Sequence, residues 1–181
     1  MRLFLLALLG VGLAAPAALA DQTDPRLDAL FEELRTGDAI SAEATTQRIV
    51  DIWAQSSSDT VNILYQRALA SADKGDDDLA LALLDHVIGL APHFMEGYAM
   101  RGVIRLNEKD QSGAIADFSR AIELEPRQFE VRIALAQILL ANNAKRDAYD
   151  MLERALEWNP HDEDARRKAR ALRRQLDGQE I

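Results

Sequence analysis

Pro92, Pro126 and Pro160 stand 34 residues apart, and each closes a similar phrase: Ile88-Gly89-Leu90-Ala91-Pro92, Ile122-Glu123-Leu124-Glu125-Pro126 and Leu156-Glu157-Trp158-Asn159-Pro160. A fixed period of this length marks a stacked array in which each copy is one supersecondary unit. Twelve residues before each proline stands an alanine: Ala80, Ala114 and Ala148. Eight before stands a large apolar residue (Leu84, Phe118, Leu152), and five before a small or β-branched one (Val87, Ala121, Ala155). Twenty-four before stands a tiny one: Ala68, Gly102 and Ala136. The middle copy predicts a helix A near 96–107, a turn at Glu108-Lys109-Asp110 and a helix B near 112–124. The tiny residues let helix A approach helix B, and Phe118 and its equivalents fill the remaining volume. Each proline ends helix B, because the residue before proline avoids the α region. No such hairpin buries its apolar face alone; stacking does that. Composition agrees with an all-helical chain: Ala and Leu number 30 and 26 of 181 residues, against 22 for Val, Ile and Thr together.

The pattern resembles the tetratricopeptide repeat (TPR) family. The middle copy, 95–128, carries the family's columns as Tyr98, Gly102, Ala114, Phe118, Ala121 and Pro126. The first copy, 61–94, departs at Leu64, Leu84 and Val87. The third, 129–162, departs most, with Arg132 in the aromatic column and Asn142-Asn143 at the turn. The resemblance implies an all-α fold, a right-handed solenoid of three helical hairpins over 61–162. Residues 21–60 read as an N-terminal TPR-like hairpin. Leu27, Leu30, Phe31 and Leu34 give its first helix, opened by Asp24-Pro25, and Ser41–Ala54 the second. Residues 163–181 read as a basic capping helix with the apolar stripe Ala165, Ala169, Leu172 and Leu176.

The first twenty residues have the form of an address: Met1-Arg2, an apolar stretch from Leu3 to Leu13, a break at Pro16 and the small-residue pattern Ala18-Leu19-Ala20. A signal peptide cleaved after Ala20 is expected, and with it a periplasmic protein. The alternative is a retained anchor, since Leu3–Ala20 is 18 apolar residues, near the lower bound for a span. The absence of Cys removes a lipid-modified cysteine, thiol catalysis, disulfides and thiolate-held clusters. A net charge of −9 argues against sequence-independent nucleic-acid binding. That charge is uneven: residues 165–181 carry six basic and two acidic groups, while 21–164 carry 14 and 28.

No catalytic motif is present, so no enzyme and no cofactor are expected. Of His86, His93 and His161, the last two hold equivalent positions two repeats apart, too far to suggest a shared metal, and all three read as hydrated loop residues. Asp76-Asp77-Asp78 reads as capping of a helix B rather than a cation loop. Trp53 and Trp158 sit in apolar phrases and read as packing residues.

In TPR arrays the concave surface is lined mainly by helix A. Carried over residue by residue, the lining positions are Asn62, Tyr65, Leu69, Ala72 and Asp73, then Glu96, Ala99, Val103, Leu106 and Asn107, then Glu130, Ile133, Gln137, Leu140 and Ala141. None is Lys or Arg, which argues against the clamp for a terminal carboxylate used by chaperone-tail-binding TPRs. The groove reads as apolar with acidic and amide groups, suited to a peptide or protein segment. The expectation is an exported adaptor working in envelope assembly or maintenance. The alternative is a self-associating module joining its acidic body to the basic C-terminal helix of another copy.

Overall fold

The computed structural model describes residues 21–178, and within them the chain is all-helical. The elements are α1 (Arg26–Thr36), α2 (Ala39–Trp53), α3 (Asp59–Ala72), α4 (Asp77–Leu90), α5 (Met95–Asn107), α6 (Gln111–Leu124), α7 (Phe129–Ala141), α8 (Lys145–Leu156) and α9 (Glu163–Asp177). The signal-peptide reading concerns residues 1–20, outside the described residues. Three hairpins form the array: α3 with α4, α5 with α6 and α7 with α8. They stack in order, α5 on α4 and α7 on α6, and α9 closes on α8.

Local chemistry fixes each hairpin. Asp76 and Asp110 cap their B helices by accepting from the backbone N–H of Leu79 and Gly113, and Asp162 caps α9 from Ala165. The run Asp76-Asp77-Asp78 thus opens α4, with Asp77 and Asp78 in the first turn, where the helix dipole favours negative charge. Every A helix ends in one left-handed residue at the same station of the repeat: Gly75, Lys109 and Asn143, with φ of 75°, 69° and 60°. The following amide reaches back to the carbonyl five residues earlier, Asp76 to Ser71, Asp110 to Arg105 and Ala144 to Leu139, at 2.8–2.9 Å. Only the first copy uses glycine there. Lys109 holds the conformation at a cost of roughly 1–2 kcal/mol.

The small columns set the spacing between A and B helices. A Cβ on Gly102 would lie 2.5 Å from Cε1 and 2.7 Å from Cδ1 of Phe118. In the flanking repeats Ala68 shares a core with Ala80 and Leu84, and Ala136 with Ala148 and Leu152. A smaller partner in helix B accompanies one extra carbon in helix A. Ala114, Ala121 and Ala155 are likewise buried. The repeat prolines act differently from these: Pro92 and Pro126 are exposed and Pro160 half-buried. They end helices and fill no core. Tyr98 is half-buried, its hydroxyl donating to the Pro92 carbonyl at 3.3 Å, with the Arg101 and Arg120 guanidinium groups over its ring. A buried carboxylate ties the middle repeat together. Asp117 accepts from Arg101 at 2.6 and 2.9 Å and from Arg105 at 2.7 Å, and Arg101 also donates to Asp85 of α4.

The N-terminal hairpin is not a fourth stacked repeat. It lies across the inter-repeat turns. Gln22 donates to the His93 carbonyl in the first turn. Asp28 pairs with Arg127 of the second at 2.7 Å, and that guanidinium sits 4.7 Å over the Phe31 ring. Phe31 meets Phe129 and then Trp158 of the third turn, with centroids 6.4 and 5.6 Å away. Trp53, at the end of α2, is fully buried against Phe31 and Phe129. Trp158 reaches this cluster because α8 stops at Leu156, two residues short of where α4 and α6 end in their own repeats. The face of α3 that corresponds to the α4-contacting face of α5 is therefore uncovered: Ile63 is 61% exposed, beside Gln66, Arg67 and Ala70.

Gly102→Ala should destabilise the protein by about 1–3 kcal/mol through overpacking against Phe118. Adding Phe118→Leu, which reproduces the pairing of the flanking repeats, should recover part of that loss. Thermal melts of the single and double variants check both statements.

Candidate functional site

Helices α3, α5 and α7 present the residues expected in the groove, and the fold treats them unequally. Val103, Asn107, Glu130, Gln137 and Asp73 are exposed; Leu69, Leu106, Ile133 and Leu140 are half-buried. Tyr65 and Glu96 are buried and form the floor instead of the rim. Asn62 is committed elsewhere. Its amide brackets the Ser56 backbone, accepting from the N–H at 2.7 Å and donating to the carbonyl at 3.0 Å, which pins the joint between α2 and α3. Asp73 and Asn107 lie at the far ends of their helices, Asp73 being the residue that caps α3.

Between α5 and α7 the groove deepens into a cavity of about 160 Å³. Ala99, Met100 and Val103 form one wall, Val131 and Ala134 the other, and Phe118 the base. Glu96, Gln128 and Glu130 stand at its polar end. Repetition builds this end. Glu96 and Glu130 occupy the same station in the first turns of α5 and α7. Gln128 caps α7 by accepting from the Val131 N–H at 3.1 Å, and its amide donates to Glu130. From α3, the Tyr65 hydroxyl donates to Glu96, and the Tyr65 ring is held edge-on by Phe94 at 5.3 Å.

The electrostatics of this end are unusual for the molecule. Burial first, and the neighbouring Glu130 charge second, push the Glu96 carboxyl up to about 8; the Tyr65 hydrogen bond opposes them. Glu130 keeps a solvent edge, yet the concave surroundings raise its carboxyl too, against the Gln128 hydrogen bond. The Tyr65 phenol is raised by burial and by both carboxylates, so it stays protonated.

The family resemblance puts Glu96 and Glu130 among the lining positions but does not reveal their shared cavity. Met100, Phe118, Gln128, Val131 and Ala134 complete that cavity, and none of them stands at a lining position carried over from the family. The 34-residue offset between the two glutamates is the signal that connects them. The basic C-terminal helix pairs largely with itself: Arg166 with Glu163, Arg167 and Lys168 with Asp164, and Arg173 with Asp177. His86 and His93 are exposed and His161 is half-buried. Among the described residues no cluster of His, Asp and Glu could hold a metal ion, and no helix is long and apolar enough to cross a membrane.

Residues 105–175 match the family model described as tetratricopeptide repeat. Over that segment the chain is similar to the tetratricopeptide-repeat family. It is 29% identical over 154 residues to a TPR repeat-containing protein of Rhizobium etli, covering 84% of this chain and 76% of that one. The first TPR of Spaghetti (RPAP3), solved bound to the HSP90 peptide SRMEEVD, superposes with a TM-score of 0.60 at 18% identity, over 65% of this chain and 93% of that one. The Yersinia enterocolitica type III secretion chaperone SycD, solved with a peptide of the translocator YopD, superposes with a TM-score of 0.61 at 18% identity, over 66% and 97%. At such identities these structures establish the shared fold.

The raised Glu96 carboxyl has a measurable consequence. An unfolded glutamate titrates near about 4.3, so the folded protein retains a proton that the unfolded chain releases. Stability from this group is full at low pH and falls as pH rises from the unfolded value toward 8. The melting temperature should therefore drop between pH 5 and pH 8.5 more steeply in the native protein than in Glu96→Gln. Parallel curves would remove Glu96 as the titrating group.

Proposed function

We propose that this protein is a non-enzymatic adaptor that holds a peptide or protein segment in the concave groove of its repeats. The observation carrying this reading is the open channel over α5 and α7. Val103 is 42% exposed above an apolar cavity, although the chain has a hairpin of its own that could have filled the groove. That hairpin is engaged with the inter-repeat turns instead. An exposed apolar wall beside an unfilled cavity costs hydration free energy that a bound segment recovers. The HSP90-peptide and YopD-peptide complexes of proteins with this fold lend support. The absence of basic side chains from the lining positions points away from a terminal carboxylate as ligand.

Selection of random nine-residue peptides displayed on phage, with the purified protein as bait, tests the reading. Enriched peptides are expected, and Val103→Arg, which projects a long cation over the cavity, should weaken them at least tenfold while circular dichroism stays unchanged. Undiminished binding to Val103→Arg would place the site elsewhere.

We also propose that the protein is exported to the periplasm and works in envelope assembly or maintenance, on the strength of the Met1–Ala20 pattern. Expressed with its leader in a Gram-negative host, the protein should be recovered by osmotic shock with Asp21 as its N-terminal residue. Recovery of an intact N-terminus in the membrane fraction would favour the retained anchor.

A further inference from the structure

Four carboxyl groups are buried among the described residues: Asp24, Glu96, Asp117 and Glu125. Three have arginine partners. Asp24 holds Arg26 at 2.7 Å, Asp117 holds Arg101 and Arg105, and Glu125 holds Arg127 at 2.8 Å. Glu96, 8% exposed, is the exception. The groups that act on it are the Tyr65 phenol from α3 and a second carboxylate, Glu130, from α7. Those acting on Glu130 are Gln128 and, from the turn before α9, Asp162. None is basic. A buried carboxyl facing another carboxyl across a cavity, in a protein that otherwise gives its buried acids a cation, lacks its counter-ion.

The cavity defines what the counter-ion would be. Its volume of about 160 Å³ is well above that needed for a single water. Its walls are hydrocarbon from Ala99, Val103, Val131 and Ala134, and its charge-accepting groups sit at one end. A methylene stem with a compact charge at its tip fits this division. The two carboxylates come from different helices, an arrangement that suits the freely rotating donors of an ammonium; a guanidinium prefers one coplanar, bidentate acceptor.

We propose that the cavity between α5 and α7 is a socket for a lysine side chain carried by the bound segment, with Glu96 and Glu130 receiving the ammonium and the Val103 and Ala134 walls enclosing the stem. This rests on the groove reading above and adds to it the chemistry of the residue bound. Because Glu96 is largely protonated below about 8 when the socket is empty, seating the ammonium releases a proton. Affinity should then rise with pH between 6 and 8, by up to about tenfold per unit.

The peptide selection supplies the probes. Its enriched sequences should share a lysine among apolar residues. For a synthetic peptide of the leading sequence, replacing that lysine by norleucine, which keeps the stem and removes the charge, should weaken binding at least tenfold. Glu96→Gln should weaken the lysine peptide to a similar degree and leave the norleucine peptide unchanged, and the pH dependence should vanish with it. Glu130→Gln, at a more exposed position, provides the same comparison if Glu96→Gln loses helicity. Enriched peptides without lysine, equal binding of the lysine and norleucine forms, or equal losses for both peptides in the variants would each overturn the socket while leaving groove binding intact. Absence of any enriched peptide would overturn the groove reading, and the socket with it.

Discussion

The distance between helix A and helix B governs everything else in this molecule. A residue without a side chain at Gly102 lets the Phe118 ring sit directly on the α5 backbone. Alanine with leucine achieves a similar fit in the repeats on either side. That separation sets where each A helix presents its outer surface. It therefore sets how far apart Glu96 and Glu130 stand and how wide the channel between α5 and α7 is. Phe118 takes part twice, as the filler of its own repeat and as the base of the cavity. The packing that makes the array also shapes the cavity between α5 and α7.

Much of the repeat architecture was legible because close packing leaves few choices. A residue that must be tiny, opposite one that must be large, recurs whenever the unit recurs. Gly102 with Phe118, Ala68 with Leu84 and Ala136 with Leu152 could be read from spacing. The left-handed ends of the A helices were less visible. Lys109 does the work of Gly75 and Asn143, and a lysine announces no turn. Backbone hydrogen bonding fixes that residue's conformation, and side-chain identity only modulates its cost.

The site was legible in part. The family resemblance puts Val103, Glu130 and Ile133 among the lining positions, and of these Val103 and Glu130 border the cavity between α5 and α7. Burial of Glu96 under Tyr65 could not be read this way, because it depends on contacts among α3, α5 and α7 that no single repeat encodes. Asn62 illustrates the converse: it occupies a lining station, yet its amide holds the joint at Ser56. The course of the N-terminal hairpin was also hidden. Its apolar spacing shows two amphipathic helices but not their target, which is written in Arg127, Phe129 and Trp158, roughly a hundred residues downstream.

That long-range docking changes how the chain gains its order. A repeat array with nearest-neighbour contacts only can fray from either end, each unit melting at its own free energy. Here residues 22–53 touch all three turns at once, closing loops of 71 residues (Gln22 to His93) to 127 residues (Phe31 to Trp158). Such closure raises the mean sequence separation of contacts, which slows folding. It also links the first turn, through Gln22 on the His93 carbonyl, to the third, through Phe31 on Trp158, by way of one hairpin. Contacts that span the array in this way oppose fraying from either end, because a terminal unit cannot leave without breaking the hairpin's hold on it.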